Sequence, residues 1–158
     1  MKNQYVDDIG DYGKFALLRT LAAANFSIGV NWYLTNDDDS TDGRHTDYLL
    51  KPCTTPDKEL FQNLASLVKM GKRSISDIEQ ANLLPGAAFF SNILDYSSTP
   101  DKDLNRRIRS EWHNHALNIL SDKDIIFLDP DNGLEVKSTP PTSQNGVKYA
   151  TYKEACAY

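Results

Sequence analysis

Residues 125–133 read Ile125-Ile126-Phe127-Leu128-Asp129-Pro130-Asp131-Asn132-Gly133, an apolar run that ends in two acids, an amide and a glycine. A continuous apolar run is typical of a central strand in a parallel sheet, because both faces of such a strand are covered. Two acids one residue apart follow the run, and in open parallel sheets ligands bind beyond the carboxyl ends of the strands. The stretch therefore predicts a buried strand that ends in a ligand-binding loop.

Two further strands are predicted upstream. Apolar and polar residues alternate over 28–34, and a short apolar run covers 87–94. Apolar residues at helical spacing predict helices over 11–24, 56–68, 76–84 and 100–120, and a helix that begins near Tyr149. Strands separated by helices need crossover connections. We therefore expect an α/β fold: a mainly parallel sheet with flanking helices in a three-layer, Rossmann-like arrangement.

Three of these helices are preceded by residues typical of helix N-termini. Thr55-Pro56-Asp57 and Thr99-Pro100-Asp101 each combine a capping hydroxyl, a proline at the first helical position and an acid in the first turn. Ser76-Asp77-Ile78-Glu79 has the spacing of a capping box. These signals predict that the helices begin directly after Thr55, Ser76 and Thr99.

Composition indicates one folded domain spanning residues 1–158. Apolar residues make up 40% and charged residues 25% of the 158 residues, close to the averages for globular proteins. No apolar stretch is long enough to span a membrane, and the start of the chain lacks the apolar core of a signal peptide. Cys53 and Cys156 are too far apart in sequence to suggest a zinc ribbon. We expect a cytoplasmic protein without a membrane partner.

The net charge of −5 argues against a surface that binds nucleic acid by bulk electrostatics. A local basic patch is still compatible with it. Arg106, Arg107 and Arg109 form the densest basic cluster. A solvated helix face is the simpler interpretation of this cluster, and a nucleic-acid contact is the alternative.

The acids after the last strand are the main candidates for chemistry. Two carboxylates at a strand end can share a hard cation, and Mg²⁺ commonly binds one or two carboxylates together with waters and substrate phosphates. Asp129 and Asp131 are therefore predicted to hold Mg²⁺ or Mn²⁺ and to be catalytic. The alternative is a turn alone, because Asp-Pro-Asp-Asn-Gly is also favourable turn chemistry.

Residues elsewhere in the chain are candidates to complete this site. Asp8 and Asp11 precede or open the first helix, and Asp42 follows the first strand, so all three are candidate metal ligands. Lys14 and Lys148 are candidate catalytic cations that stabilise transition-state charge. The simpler interpretation of the acids at the first helix, including Asp7, is capping and dipole complementarity.

The strand followed by Asp-x-Asp resembles the acidic motif of several magnesium-dependent families. These are the topoisomerase-primase (Toprim) domain, the NYN branch of the PIN-type nucleases and the haloacid-dehalogenase phosphatases. The strand ending in Asp129-Pro130 is also similar to the Asp-Pro-Pro-Tyr motif of Rossmann-fold methyltransferases, although Asp131-Asn132 replaces Pro-Tyr. The glycine-rich cofactor turn of those enzymes is missing after Leu34.

A wider resemblance extends over nearly the whole chain. The chain resembles a set of small uncharacterised bacterial and phage proteins. The resemblance is carried by Asn3-Gln4-Tyr5, Asp8, Asp11-Tyr12, Lys14, Leu17-Leu18, Trp32-Tyr33-Leu34-Thr35, Asp42-Gly43 and 127–133. The resemblance implies that these positions form one site, without naming a reaction. Members of this set continue past Lys148-Tyr149 into a further helix and strand, so the resemblance also implies that this chain is shortened at its end.

Three functions follow, in order of preference. The first is a Mg²⁺-dependent phosphodiesterase or nuclease that acts on nucleic acid or a nucleotide. The second is a methyltransferase-like Rossmann domain, active or relict. The third is a non-catalytic interaction protein, for instance a phage or defence component.

Overall fold

The computed structural model describes residues 1–38, 43, 45–97 and 100–158. By contacts between residues, the chain divides into two compact units. We call them the sheet unit, with residues 1, 27–36 and 87–158, and the helical unit, with residues 2–26 and 37–86. This division leaves the single domain a prediction.

The sheet unit contains three parallel strands: β1 (Ile28–Asn31), β2 (Ala88–Phe90) and β3 (Ile125–Leu128). Their order is β2-β1-β3, with Val30 opposite Phe89 on one side and Phe127 on the other. The central strand is β1, which is buried along its whole length. The expectation of a central strand over 125–128 with both faces covered is wrong, because β3 lies at an edge of the described sheet and is only partly buried. The α/β class and the parallel sheet predicted from the sequence are confirmed.

The first two strands are shorter than the sequence predicts. The alternating pattern reaches Leu34, whereas β1 ends at Asn31. The physical reason is Tyr33, whose φ of 45° is incompatible with extended backbone. Alternation of apolar and polar residues persists beyond the point where the regular strand stops.

The long helix α4 (Lys102–Leu120) lies against this sheet. Its residue Trp112 packs edge-on against Tyr33 and Phe90, with ring centroids 4.9 and 5.3 Å away. The Trp112 indole N–H donates to the Asn92 carbonyl at 2.8 Å, so the polar atom of this buried ring is satisfied. The predicted helix is confirmed, and it begins after Asp101, which caps the Asp103 and Leu104 amides. The predicted cap Thr99 lies outside the described residues.

The helical unit contains α1 (Ile9–Ala23), α2 (Lys58–Lys69) and α3 (Ile75–Gln80). Two of the predicted start positions are wrong by two residues. The N-cap of α2 is Asp57 rather than Thr55, and the N-cap of α3 is Ser74 rather than Ser76. Asp57 and Ser74 each accept a hydrogen bond from the amide three residues further along the chain. The predicted cap of α2 lies two residues too early in the chain for this bond, and that of α3 lies two residues too late.

The chain after β3 is mostly irregular and ends in the short helix α5 (Tyr152–Ala155). Thr151 and Glu154 form a capping box at its start, which matches the predicted helix in this region. Short 3-10 helices cover Asn3–Tyr5, Asp47–Leu50 and Gln144–Lys148. Within the part of the chain that the structure describes, no helix has the length and apolar character needed to cross a membrane.

Candidate functional site

The carboxyl ends of β1 and β3 form the candidate site. The chain passes from β1 to β2 on one side, then crosses to β3 on the other side of β1. The strand order therefore reverses between β1 and β3, and open α/β sheets bind ligands at such switch points. Asp129 and Asp131 follow β3 at this position, as the sequence predicts.

Asp131 belongs to a cluster of oxygen atoms around a positive charge. Its side chain is 4% exposed, and its Oδ1 lies 2.6 Å from the α-ammonium nitrogen of Met1. The same nitrogen donates to the carbonyl oxygens of Tyr33 at 3.0 Å and Asp129 at 3.1 Å. Thr35 Oγ1 donates to the other Asp131 oxygen at 3.4 Å. The switch point thus presents carboxylate and carbonyl oxygens to a cation.

The Tyr33 carbonyl belongs to this cluster, and the Tyr33 backbone is strained. A φ of 45° at a bulky residue that is fully buried is a genuine outlier. The conformation is held by Asn31, whose Oδ1 accepts from the Tyr33 amide at 3.0 Å. Strain of this kind persists only where the surroundings enforce it, and it clusters at functional sites. The wider resemblance includes Tyr33 among the positions of one site, but its positive φ has no local sequence signal.

The loop after β3 is also a tight turn. The Gly133 amide donates to the Pro130 carbonyl, and Gly133 has a φ of 80°, which glycine adopts without strain. The Asn132 amide donates to the Lys148 carbonyl at 2.9 Å, so the backbone of the predicted catalytic Lys148 lies beside the loop. The loop therefore has the predicted turn geometry, and it also contributes Asp131 and the Asp129 carbonyl to the contacts with the Met1 nitrogen.

Three other predicted site residues, Asp8, Asp11 and Lys14, lie in the helical unit. Asp8 is the N-cap of α1, as the capping interpretation has it. Asp11 is buried and forms an ion pair with Lys14 at 2.8 Å. Its Oδ2 also accepts from the Asp7 amide at 2.9 Å. Asp42 lies outside the described residues.

Asp7 differs from the capping and dipole role that the sequence predicts for it. Its side chain is fully buried, its φ is 67°, and neither carboxyl oxygen has a hydrogen-bond partner among the described residues. Burial, with a smaller contribution from the nearby Asp11 charge, raises the pKa of Asp7 to about 7. A buried acid that titrates near neutral pH is a common feature of functional sites. No simple signal distinguishes it in sequence from the adjacent cap Asp8.

The interpretation of the basic cluster as a solvated helix face is wrong for Arg109. Instead of lying on a solvated helix face it is buried, and its Nε and Nη2 bind the two carboxyl oxygens of Glu154 at 2.6 and 2.8 Å. Glu154 also accepts from the Tyr33 hydroxyl at 3.3 Å. The strained tyrosine therefore joins the switch point to a buried ion pair. Arg106 and Arg107 are exposed, as the solvated-face interpretation predicts.

Among the residues that the structure describes, no three or more His, Cys, Asp or Glu side chains are grouped closely enough to hold a metal ion.

In comparisons with known proteins, the chain matches no family model, no curated protein and no solved structure. The case for a function therefore depends on the geometry alone.

Proposed function

We propose that the protein is a divalent-cation-dependent phosphodiesterase that acts on nucleic acid or a nucleotide. The observation that carries the proposal is the oxygen cluster of Asp131, Asp129 and Tyr33 around a positive charge. Its position between β1 and β3 agrees with a three-layer, Rossmann-like domain, which we propose as the complete architecture. A cytoplasmic location and an association with phage are predictions from the sequence that accompany this proposal.

The donor set fits a hard cation. Mg²⁺ and Mn²⁺ prefer carboxylate and carbonyl oxygens, and the cluster supplies both kinds. Asp131 and Asp129 would hold the ion, which would supply Lewis-acid polarisation of a phosphoryl oxygen. Thr35 holds the Asp131 carboxylate through its hydroxyl, and Lys148 is proposed to stabilise negative charge on the substrate. Roles for Asp8, Asp11, Asp42 and Lys14 are proposed on the sequence alone.

The Met1 α-ammonium group and a divalent cation would need the same oxygen atoms. We therefore expect them to compete, so that cation binding weakens as the α-ammonium interaction strengthens.

The test is hydrolysis of bis(p-nitrophenyl) phosphate and of labelled single- and double-stranded DNA and RNA, with Mg²⁺, Mn²⁺ or EDTA. Asp131→Asn keeps the size of the side chain and removes its charge. We expect it to lower cation-dependent turnover about 100-fold or more, since even residues that only orient metal ligands contribute roughly 10- to 100-fold.

The matched control is Asp122→Asn, which removes the same charge from an exposed surface position. It should retain wild-type turnover. Cleavage by the wild type that persists unchanged in Asp131→Asn, or that is indifferent to EDTA, would refute the proposal.

A further inference from the structure

The side-chain amide of Asn31 is buried at the end of the central strand. Asn31 is 0% exposed and is the last residue of β1. Asparagine is depleted in strands, and a buried amide costs free energy unless it is hydrogen-bonded. Both ends of this amide are satisfied, because Oδ1 accepts from the Tyr33 amide at 3.0 Å and Nδ2 donates to the Tyr158 hydroxyl at 2.9 Å. The Asn31 side chain is therefore fixed within the sheet unit from two sides.

The bond from the Tyr33 amide bends the chain. An asparagine oxygen that accepts from the amide two residues further on forms an Asx turn, which competes with the regular strand ladder. Tyr33 has a φ of 45° in this turn. The left-handed conformation is unfavourable for a residue with a Cβ atom and persists only where the surroundings enforce it. The Asn31 side chain is the hydrogen-bond acceptor that holds the Tyr33 amide in this conformation.

The bend determines where the Tyr33 carbonyl lies. In extended backbone this carbonyl would continue the hydrogen-bond ladder of β1. It instead accepts from the Met1 nitrogen at 3.0 Å, an atom that also donates to the Asp129 carbonyl and pairs with the Asp131 carboxylate. The side-chain hydrogen bonds of Asn31 go to Tyr33 and Tyr158, so Asn31 acts on the cation of the oxygen cluster through Tyr33.

The ring of Tyr33 is held by different contacts. It packs against Trp112 with ring centroids 4.9 Å apart, and its hydroxyl donates to Glu154 at 3.3 Å. These contacts fix the far end of the side chain, whereas the Asn31 bond fixes the backbone next to the carbonyl. The direction of the carbonyl is therefore separable from the packing of the ring.

We propose that Asn31 is the positioning residue of the oxygen cluster: it holds the Tyr33 carbonyl toward the cation, and Tyr158 holds the Asn31 side chain. The inference rests on the proposed function for a divalent cation as the ligand. The Met1 α-ammonium group is a cation that the cluster holds without a metal, so the positioning role also has a metal-free consequence. Residues that orient metal ligands without touching the metal change metal affinity by about 10- to 100-fold.

The test is calorimetric titration of Mn²⁺ into the wild type, Asn31→Leu and Asn31→Ser. Asn31→Leu retains much of the side-chain volume and removes both hydrogen bonds, so Mn²⁺ binding should weaken by about tenfold or more. Asn31→Ser retains an oxygen that accepts from the amide two residues further on, although more weakly than asparagine does. It should weaken Mn²⁺ binding by less than about threefold, since the turn at Tyr33 is retained.

The matched control is Asn105→Leu. Asn105 is also a buried asparagine of the sheet unit, with 2% exposure, and its Nδ2 donates to the Thr142 carbonyl at 3.0 Å. The same substitution at this position should leave Mn²⁺ affinity unchanged. A merely structural effect of losing a buried amide would lower the affinity of both leucine variants.

A second measurement needs no divalent cation. In EDTA, acetic anhydride acylates the Met1 α-amino group, and mass spectrometry of the N-terminal peptide gives the rate. Because the amino group reacts when it is released from the cluster, losing the Tyr33 carbonyl as a partner should accelerate the reaction. Asn31→Leu should react about fivefold faster or more than the wild type and Asn105→Leu, the loss of one hydrogen bond to a charged group.

Weaker Mn²⁺ binding and faster acylation in Asn31→Leu, with neither change in Asn105→Leu, would support the assignment. Failure of the wild type to bind Mn²⁺ would refute the proposed function alone, and the acylation rates would then decide the role of Asn31. Three results would overturn that role: wild-type Mn²⁺ affinity in Asn31→Leu, an equal loss of affinity in Asn105→Leu, or acylation of Asn31→Leu at the wild-type rate. Circular dichroism of each variant checks that the fold is retained.

Discussion

Two buried carboxyl groups, Glu154 in the sheet unit and Asp7 in the helical unit, meet opposite surroundings. Glu154 accepts hydrogen bonds from Arg109, Tyr33 and Thr151, while both carboxyl oxygens of Asp7 lack a partner among the described residues. Burial pushes the pKa of both groups upward. In Glu154 the bonds and charge of Arg109 prevail and hold the pKa below its usual value, whereas in Asp7 burial prevails.

The opposite pKa shifts suit the two carboxyl groups to different roles. Glu154 is a fixed anion that anchors α4 to α5 and supports the strained Tyr33. Asp7 is an acid whose proton is exchangeable near neutral pH, beside the ion pair of Asp11 and Lys14. The first group stabilises a structure, and the second has the properties of a proton donor or acceptor.

The largest expected effect on stability comes from removing the charge partner of Glu154. Arg109→Met retains much of the side-chain volume but leaves Glu154 buried without its charge partner. We expect the free energy of unfolding to fall by about 3–5 kcal/mol, the usual cost of removing one member of a buried pair. Urea denaturation at pH 7 measures it.

Arg107→Met is the control for this change, since Arg107 is exposed on the same helix. Adding Glu154→Gln to Arg109→Met should restore part of the lost stability, because the stranded charge is removed. A loss in Arg109→Met no larger than in the control would mean that the pair does not anchor the unit.

The next effect concerns the pH dependence caused by Asp7. Its pKa is higher in the folded than in the unfolded protein, so the folded state binds more protons between about pH 4 and pH 7. Stability from this group is therefore present at low pH and is lost as the pH rises through 7. Asp11 and Asp77 raise this pKa and Arg73 lowers it.

Asp7→Asn should remove that dependence. Relative to the wild type, its free energy of unfolding should rise by about 2–4 kcal/mol between pH 5 and pH 8. Urea denaturation at four pH values measures the difference, with Asp122→Asn as an exposed control. A pH profile parallel to that of the wild type would show that Asp7 is not a buried neutral acid.

The smallest effect tests how far Glu154 depends on any one neutral partner. Tyr33→Phe removes the hydroxyl that donates to Glu154 at 3.3 Å and keeps the ring against Trp112. We expect a loss of about 1 kcal/mol, typical of one hydrogen bond, since Arg109 and Thr151 remain. Thermal unfolding would detect it, and a loss as large as that of Arg109→Met would contradict this ranking of partners.

Much of the fold can be predicted from local patterns. The helical periodicity of 100–120 corresponds to an observed helix, because burial of one helix face imposes that period. The apolar run over 125–128 is a strand, but its place at the edge of the described sheet does not follow from the run. The turn at Pro130–Gly133 follows from local backbone preferences in the same way. The first residues of helices are predicted less accurately, because Thr55 and Asp57 are both acceptable caps in sequence.

The site could be predicted only in part. Asp131 at a strand end has a local signature, whereas the pairing of Arg109 with Glu154 joins residues 45 positions apart. The burial of Asp7 depends on packing that no nearby residue specifies. The positive φ of Tyr33 follows from Asn31 and from the contacts around it rather than from residue preference.

The proposed function requires that the oxygen cluster at the switch point binds a divalent cation. Calorimetric titration of Mn²⁺ and Mg²⁺ into the wild type, Asp131→Ala and the control Asp122→Ala tests it most directly. We expect saturable binding in the wild type and the control, and no binding in Asp131→Ala. Equal binding in all three proteins, or none in the wild type, would contradict it.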